Sequence, residues 1–259
     1  MSRIKFMNIE IDNLTMQEAL KAVDHLIREN KSAYVVTPNV DHIVKLETDK
    51  ELQAAYKNAS LILTDGKPLL WIARWYGTPI KEKISGSDLF PLLCEMAADK
   101  GYKMFFLGAS EGVAAKAAEN LSKKYKGLQI VGTYAPPFGF EKDQMEIKKI
   151  KDMIQAVSPE ILIVGLGCPK QEMFMYHYCK AMGVPVSLGL GASFDFEAGK
   201  VKRAPRWMSD HGLEWLFRIT QDPGRMVKRY LVDDTKIFGL AIKYKKMIDR
   251  SKGIKGRCS

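Results

Sequence analysis

Residues 59–63 form an apolar run that ends on Thr64-Asp65-Gly66, and a helical pattern starts directly afterwards at Lys67. A carboxylate at such a place can act as a general base, if it sits within hydrogen-bond reach of a hydroxyl that attacks another molecule. The same Asp65 also suits an Asp-Gly turn or the N-cap of the following helix. Four more loops of specific composition follow apolar runs: T37-P-N39, L107-G-A-S-E, G165-L-G-C-P-K-Q171 and G189-L-G-A-S-F-D195. Three are rich in glycine, and their backbone N–H groups at helix starts suit the oxygens of a diphosphate. Gly108, Ala109, Gly165, Gly167, Lys170 and Gly191 are therefore candidates for binding a nucleotide or nucleotide sugar. Thr37 and Asn39 offer polar side chains to sugar hydroxyls, or else cap a helix starting near Val40. Gln171 either meets a sugar or diphosphate or is an ordinary first-turn residue. Asp195, paired with Glu197, resembles the acidic pairs that hold divalent cations in sugar-nucleotide transferases, and equally reads as solvated loop acids.

Several chemistries lack their motifs. G108-A-S-E-G-V does not fit GxGxxG and no GxxxxGK[ST] occurs, which disfavours a dinucleotide oxidoreductase or a P-loop enzyme. His25, His42, His177 and His211 show no HExxH or similar spacing, so metal signals are thin, and no cofactor is expected from the motifs present. Cys94, Cys168, Cys179 and Cys258 lie far apart without CxxC spacing, as reduced cytosolic thiols do.

These loops need a scaffold, and the pattern supplies one. Short apolar runs at 33–36, 60–63, 103–107, 128–131, 161–164 and 185–188 read as strands. They alternate with helical patterns at 15–29, opened by the capping box T15-M-Q-E18, and at 88–100, 111–124, 141–157 and 171–182. The expectation is an α/β fold, a Rossmann-like parallel sheet flanked by helices, over residues 1–195. Residues 196–259 read as a basic helical appendage, with apolar Val227, Leu231, Phe238, Ala241, Ile242 and Ile248 between cations. Residues 200–259 hold 16 Lys and Arg against 6 Asp and Glu, which accounts for the whole net charge of +10. Such asymmetry suits an anionic partner: a phosphate-bearing substrate, a nucleic acid or the cytoplasmic membrane leaflet. The N-terminus lacks the apolar core of a secretory signal, and no run is long enough to span a bilayer.

Taken in order, TPNVDHIVKL, TDGKPLLW, GSDL, FLGAS, APPFG, GCPKQE, GLGASFDFEAG, KRAPRW and HGLEWLFRITQDPGRMVKRY resemble the WecG/TagA/CpsF glycosyltransferase family from about residue 8 to residue 232. Within it, the sequence is most similar to the teichoic-acid N-acetylmannosaminyltransferase branch. The resemblance implies an inverting, metal-independent transfer of N-acetylmannosamine from UDP to the C4 hydroxyl of N-acetylglucosamine on undecaprenyl diphosphate, giving a β-1,4 link. It implies Asp65 as the base, with Thr37, Asn39 and Gln171 in the catalytic set. It also implies a C-terminal appendage that meets the inner face of the cell membrane and supplies arginines to the site. Arg203, Arg206, Arg218, Arg225 and Arg229 are the candidates for holding the UDP diphosphate, through their planar forks. The family commonly has arginine where Lys83 stands, and lysine loses the two-pronged grip. A homo-oligomer is compatible with the sequence. Three alternatives remain: a uronic-acid donor of the same family, a basic nucleic-acid binder that lacks RNP-type aromatic motifs, and a non-catalytic membrane scaffold.

Overall fold

A computed structural model describes residues 3–255; the side chains of Arg206, Asp210, Arg225 and residues 252–255 lie outside the described residues, as does Cys258. The chain opens with an antiparallel hairpin, β1 (Arg3–Phe6) and β2 (Ile9–Asp12), turned at Met7 with φ 50°. The sequence reading did not anticipate these strands, because a four-residue pair around Met-Asn carries no Gly or Pro punctuation. Asp12 fastens the hairpin to the domain, accepting from Arg3 at 3.2 Å and from the Ile62 N–H at 2.8 Å.

The expected parallel sheet follows. Its strands are β3 (Ala33–Val36), β4 (Leu61–Ile62), β5 (Lys103–Gly108), β6 (Gln129–Tyr134), β7 (Ile161–Gly165) and β8 (Val186–Gly189), in the order β4-β3-β8-β7-β5-β6. The helices between them are α1 (Met16–Glu29), α2 (Val40–Lys45), α3 (Lys50–Lys57), α4 (Lys67–Tyr76), α5 (Gly86–Lys100), α6 (Val113–Lys124), α7 (Gln144–Val157) and α8 (Lys170–Met182). The capping box at Thr15 and Glu18 is present in full. Of these, α3 was not foreseen.

Strand alternation divides the core into two layers. Tyr34, Val36, Phe105, Leu107, Leu162 and Val164 face α2, α3, α4, α7 and α8, while Val35, Met104, Phe106, Ile161, Ile163 and Leu188 face α1, α5 and α6. Because all six strands run parallel, their carboxyl ends share one edge of the sheet, where residues 37–39, 64–66, 108–112, 165–171 and 189–195 lie.

After β8 come α9 (Ser193–Glu197), α10 (Arg206–Asp210), α11 (Glu214–Gln221), α12 (Pro223–Lys228), a π-helical turn over Arg229–Asp233 and α13 (Lys236–Lys255), so the described part of the C-terminal region is helical, as expected. The apolar stripe foreseen from Val227 to Ile248 is split by that turn. Ile237 and Ala241 pack into the core beside α2 and α4, and Tyr76 Oη donates to the Ala241 carbonyl at 2.8 Å. Val227, Leu231, Phe238 and Ile242 are exposed instead. Among the described residues no helix is long and apolar enough to cross a membrane.

Candidate active site

Asp65 follows β4, where its N–H donates to the Pro38 carbonyl at 2.9 Å and so ties the 64–66 turn to the turn after β3. The N-cap of α4 is Gly66, at φ 103°, and no side chain caps that helix. Asp65 is thus a turn residue whose carboxylate is free of the capping duty the sequence allowed. The left-handed φ at Gly66 explains why glycine follows it. The carboxylate is half-buried. Desolvation raises its pKa to about 6, against the opposing pull of Arg218 and Lys83, and Glu214 and Asp88 push in the same upward direction.

The cavity beside it has a volume of about 590 Å³, and Lys67, Lys83, Asp88, Arg203, Glu214 and Arg218 are prominent in its lining. Asp65 is coupled electrostatically to Lys83 and Arg218 of that lining. Lys83 Nζ lies 3.4 Å from Asp88 Oδ2 and 3.6 Å from Glu214 Oε1. Burial would lower the Lys83 pKa, but Glu214, Asp88 and Asp65 outweigh it and keep the ammonium charged. Arg203 bridges Asp88 at 3.2 Å and Glu197 at 3.1 Å and also donates to the Ser87 carbonyl. Arg203 and Arg218 lie over the Phe196 ring, at 5.8 and 5.5 Å from its centroid. The C-terminal segment therefore brings Arg203 and Arg218 to the Asp65 side of the crevice. The side chains of Arg206 and Arg225 lie outside the described residues.

The other candidates occupy two more places. Thr37 is buried and its hydroxyl donates to the Gly189 carbonyl at 3.0 Å, tying β3 to β8. Asn39 is the N-cap of α2: Oδ1 accepts from the Asp41 N–H at 3.1 Å and from Arg229 at 3.3 Å. Gln171 is buried, accepting from the Gly191 N–H at 3.1 Å and donating to Glu172 at 2.8 Å. These three, with Arg229 and Gly191, gather at the ends of β3 and β8.

The remaining glycine loops lie at the ends of β5 and β7. A Cβ on Gly108 would come 2.5 Å from the Gly165 carbonyl oxygen, and the Ala109 N–H donates to that oxygen at 2.8 Å. Glycine here answers a close approach of two backbones. Ala109 itself has φ 61°, and Gly167 has φ 75° with open space around its missing side chain. Lys170 Nζ is 2.7 Å from Glu141 and lies over Phe138. Asp195, on α9, sits 3.7 Å from Lys200, while its partner Glu197 holds Arg203, so the acidic pair is neutralised by neighbouring cations.

Among the described residues one trio, Asp41, His42 and Cys168, brings possible metal-ligand atoms within 4.8 Å of one another. Two of its three side chains, Asp41 and His42, are already engaged. Asp41 binds Lys45 at 2.7 Å, and the two His42 nitrogens face Asn39 Oδ1 at 2.8 Å and Glu172 Oε1 at 3.2 Å.

The sequence profile of the glycosyl transferase WecG/TagA/CpsF family matches residues 4–251. The chain belongs to that family. It is 34% identical over 212 residues, 80% of each chain, to the N-acetylglucosaminyldiphosphoundecaprenol N-acetyl-beta-D-mannosaminyltransferase of Bacillus spizizenii. It is 31% identical over 201 residues, 78% of this chain and 76% of the relative, to the protein of the same name from Bacillus subtilis. For this family member, sequence reasoning missed the parts played by Glu214, His42 and Glu172. His42 stood at the third helical position after Asn39, a spacing that suits a reciprocal cap. Glu214 and Glu172 gave no sequence signal beyond adjacency to residues already singled out.

Proposed function

We propose that the chain transfers N-acetylmannosamine from its UDP derivative to the C4 hydroxyl of N-acetylglucosamine on undecaprenyl diphosphate. The observation that carries this reading is Asp65, a carboxylate without a capping role, half-buried beside Lys83 and Arg218 at the carboxyl edge of the sheet. Two relatives named for this transfer, each above 30% identity, support it.

In the proposed step the C4 oxygen attacks the anomeric carbon as Asp65 takes its proton. The bond between that carbon and the β-phosphoryl oxygen breaks on the opposite face, and UDP leaves with the electron pair. The anomeric centre is inverted. In this reading Arg203, Arg218 and Lys83 stabilise negative charge growing on the diphosphate, with Arg206 and Arg225 as further candidates from the same segment. Residues 1–195 serve as the catalytic unit and residues 196–259 as an appendage that completes the site. Thr37, Asn39 and Gln171 complete the catalytic set. The glycine loops with Gly108, Ala109, Gly165, Gly167 and Gly191, together with Lys170, Asp195 and Arg229, line the substrate path.

Because the acceptor is a lipid, the protein works at the inner face of the cell membrane. Exposed Leu231, Val232, Phe238 and Ile242 on the basic C-terminal segment suit an anionic bilayer surface. The test is UDP release from UDP-N-acetylmannosamine and a short-chain lipid-diphosphate N-acetylglucosamine acceptor, with EDTA present, for wild type and Asp65→Asn. Acceptor-dependent release that collapses in the folded variant is expected. Full activity in the variant, or none in wild type, would overturn the reading.

A further inference from the structure

A continuous run of hydrogen bonds links the C-terminal segment to the loop after β8, and two of its members, His42 and Glu172, have no part in the proposed reaction. Arg229 Nη2 donates to Asn39 Oδ1 at 3.3 Å; the same oxygen faces His42 Nδ1 at 2.8 Å; His42 Nε2 faces Glu172 Oε1 at 3.2 Å. Gln171 Nε2 donates to that Glu172 oxygen at 2.8 Å, and Gln171 Oε1 accepts from the Gly191 N–H at 3.1 Å. His42 and Glu172 are buried.

The run fixes which end of the Asn39 carboxamide faces which way. The Asp41 N–H and the Arg229 guanidinium can only donate, so the atom they share must be the amide oxygen. A bare His42 Nδ1 would set a lone pair against that oxygen at 2.8 Å, so Nδ1 carries a proton. Nε2, facing the Glu172 carboxylate, carries one too, and the Cys168 side chain lies against the same ring. The Asn39 backbone N–H also faces Nδ1, at 3.4 Å, a contact that would favour a bare nitrogen. The shorter approach to Oδ1 decides the matter. With three donors on its oxygen, the carboxamide has no freedom to turn, and its Nδ2 group donates to no described residue. Asn39 is half-buried, one residue past the Pro38 carbonyl that holds Asp65.

We propose that His42 is a positioning residue which, backed by Glu172, locks Asn39 so that Nδ2 donates to an acceptor oxygen of the bound sugar substrates. This rests on the transferase reading above, and it assigns Asn39 the role of donor rather than acceptor. Arg229 adds to the same lock from the C-terminal segment, so docking of that segment and orientation of Asn39 are one event.

Asn39→Asp tests the donor role with little change of shape. A carboxylate keeps the three donors on one oxygen and offers the cleft an oxygen in place of the amino group. Turnover is expected to fall about 10²–10³-fold, the usual cost of one such donor, without a lower melting temperature. His42→Ala frees the carboxamide and is expected to lower kcat about 10-fold. In the Asn39→Asp background the same change should cost less than about 2-fold, because a carboxylate reads the same when turned over. Arg229→Gln, at a half-exposed position, repeats the cycle if His42→Ala does not fold.

Multiplying losses in the two backgrounds, or an Asn39→Asp protein above half of wild-type turnover, would overturn the proposal. The lock is also read without turnover: imidazole ¹⁵N shifts should show both His42 nitrogens protonated at neutral pH, and one bare nitrogen would refute it. Absence of turnover in wild type would sink the transferase reading alone, since the nitrogen spectrum still decides the lock.

Discussion

Asp65 and Glu172 both stand at the carboxyl edge of the sheet, and the fold treats them in opposite ways. Glu172 is fully buried: its Oε1 meets both His42 and Gln171 at hydrogen-bond distance, while its Oε2 is buried with no hydrogen-bond partner among the described residues. Asp65 is half-buried, caps nothing, and has its cations nearby in the cavity wall. A carboxylate oxygen that takes hydrogen bonds from fixed neighbours has its orientation settled by the fold. One held short of partners keeps a lone pair for a substrate, and its raised pKa makes it the better proton acceptor.

The comparison breaks most severely at Asp65 itself. Asp65→Asn is expected to lower turnover about 10²–10⁴-fold, measured as UDP release. Because the wild-type pKa is raised to about 6 from 3.8, the base is protonated below that value, and kcat/KM should fall on the acid side with a limb near pH 6. Stability moves in the opposite sense. The folded state holds the proton more tightly than the unfolded chain, so stability present at about pH 4 declines as pH rises to 6. The shift corresponds to about 1–3 kcal/mol after allowance for partial exposure. The melting temperature of Asp65→Asn should accordingly exceed that of wild type at pH 7.5, and match it more closely at pH 4.

Arg218 comes next. Arg218→Gln removes the largest charge that opposes the upward shift, so the acid limb should move to higher pH while turnover drops about 10²-fold. Unchanged pH dependence would separate Arg218 from Asp65 and weaken the contrast drawn here.

Gly108→Ala probes the packed side of the same edge. Its added carbon would lie 2.5 Å from a backbone oxygen, at a φ of 114°, so denaturant unfolding should show a loss on the order of 2 kcal/mol or more. Gly167→Ala, with open space around it but φ 75°, should cost about 1 kcal/mol.

Lys83→Arg is the mildest change. Asp88 and Glu214 already neutralise this cation, and a guanidinium can serve both, so activity within about 3-fold of wild type is expected.

The strands were legible because a buried parallel strand is apolar on both faces, and Tyr34-Val35-Val36 or Ile161-Leu162-Ile163 look like little else. The β1–β2 hairpin was not, since its turn uses Met7 in the left-handed region without the usual Asn-Gly or Gly signal. Asp65 could be singled out from T-D-G, yet its freedom from the cap of α4 depends on Gly66 taking that place. Asn39 allowed two roles in the sequence; the structure places it in a cap and in a run of bonds that reaches Gly191.

The sequence by itself determined the alternation of strands and helices from β3 to α8, apart from α3, the concentration of positive charge after residue 200, and the loops that would meet at one edge. Periodicity and composition are local properties, and they survive without knowledge of what lies alongside. Only the tertiary structure decided that Arg203 and Arg218 reach the Asp65 side while Arg229 reaches Asn39, and that Thr37 and Gln171 face inward. Those outcomes depend on contacts between residues far apart in the chain, whose distances are set by how α11, the π-helical turn and α13 pack back over the sheet edge. No local pattern encodes such distances.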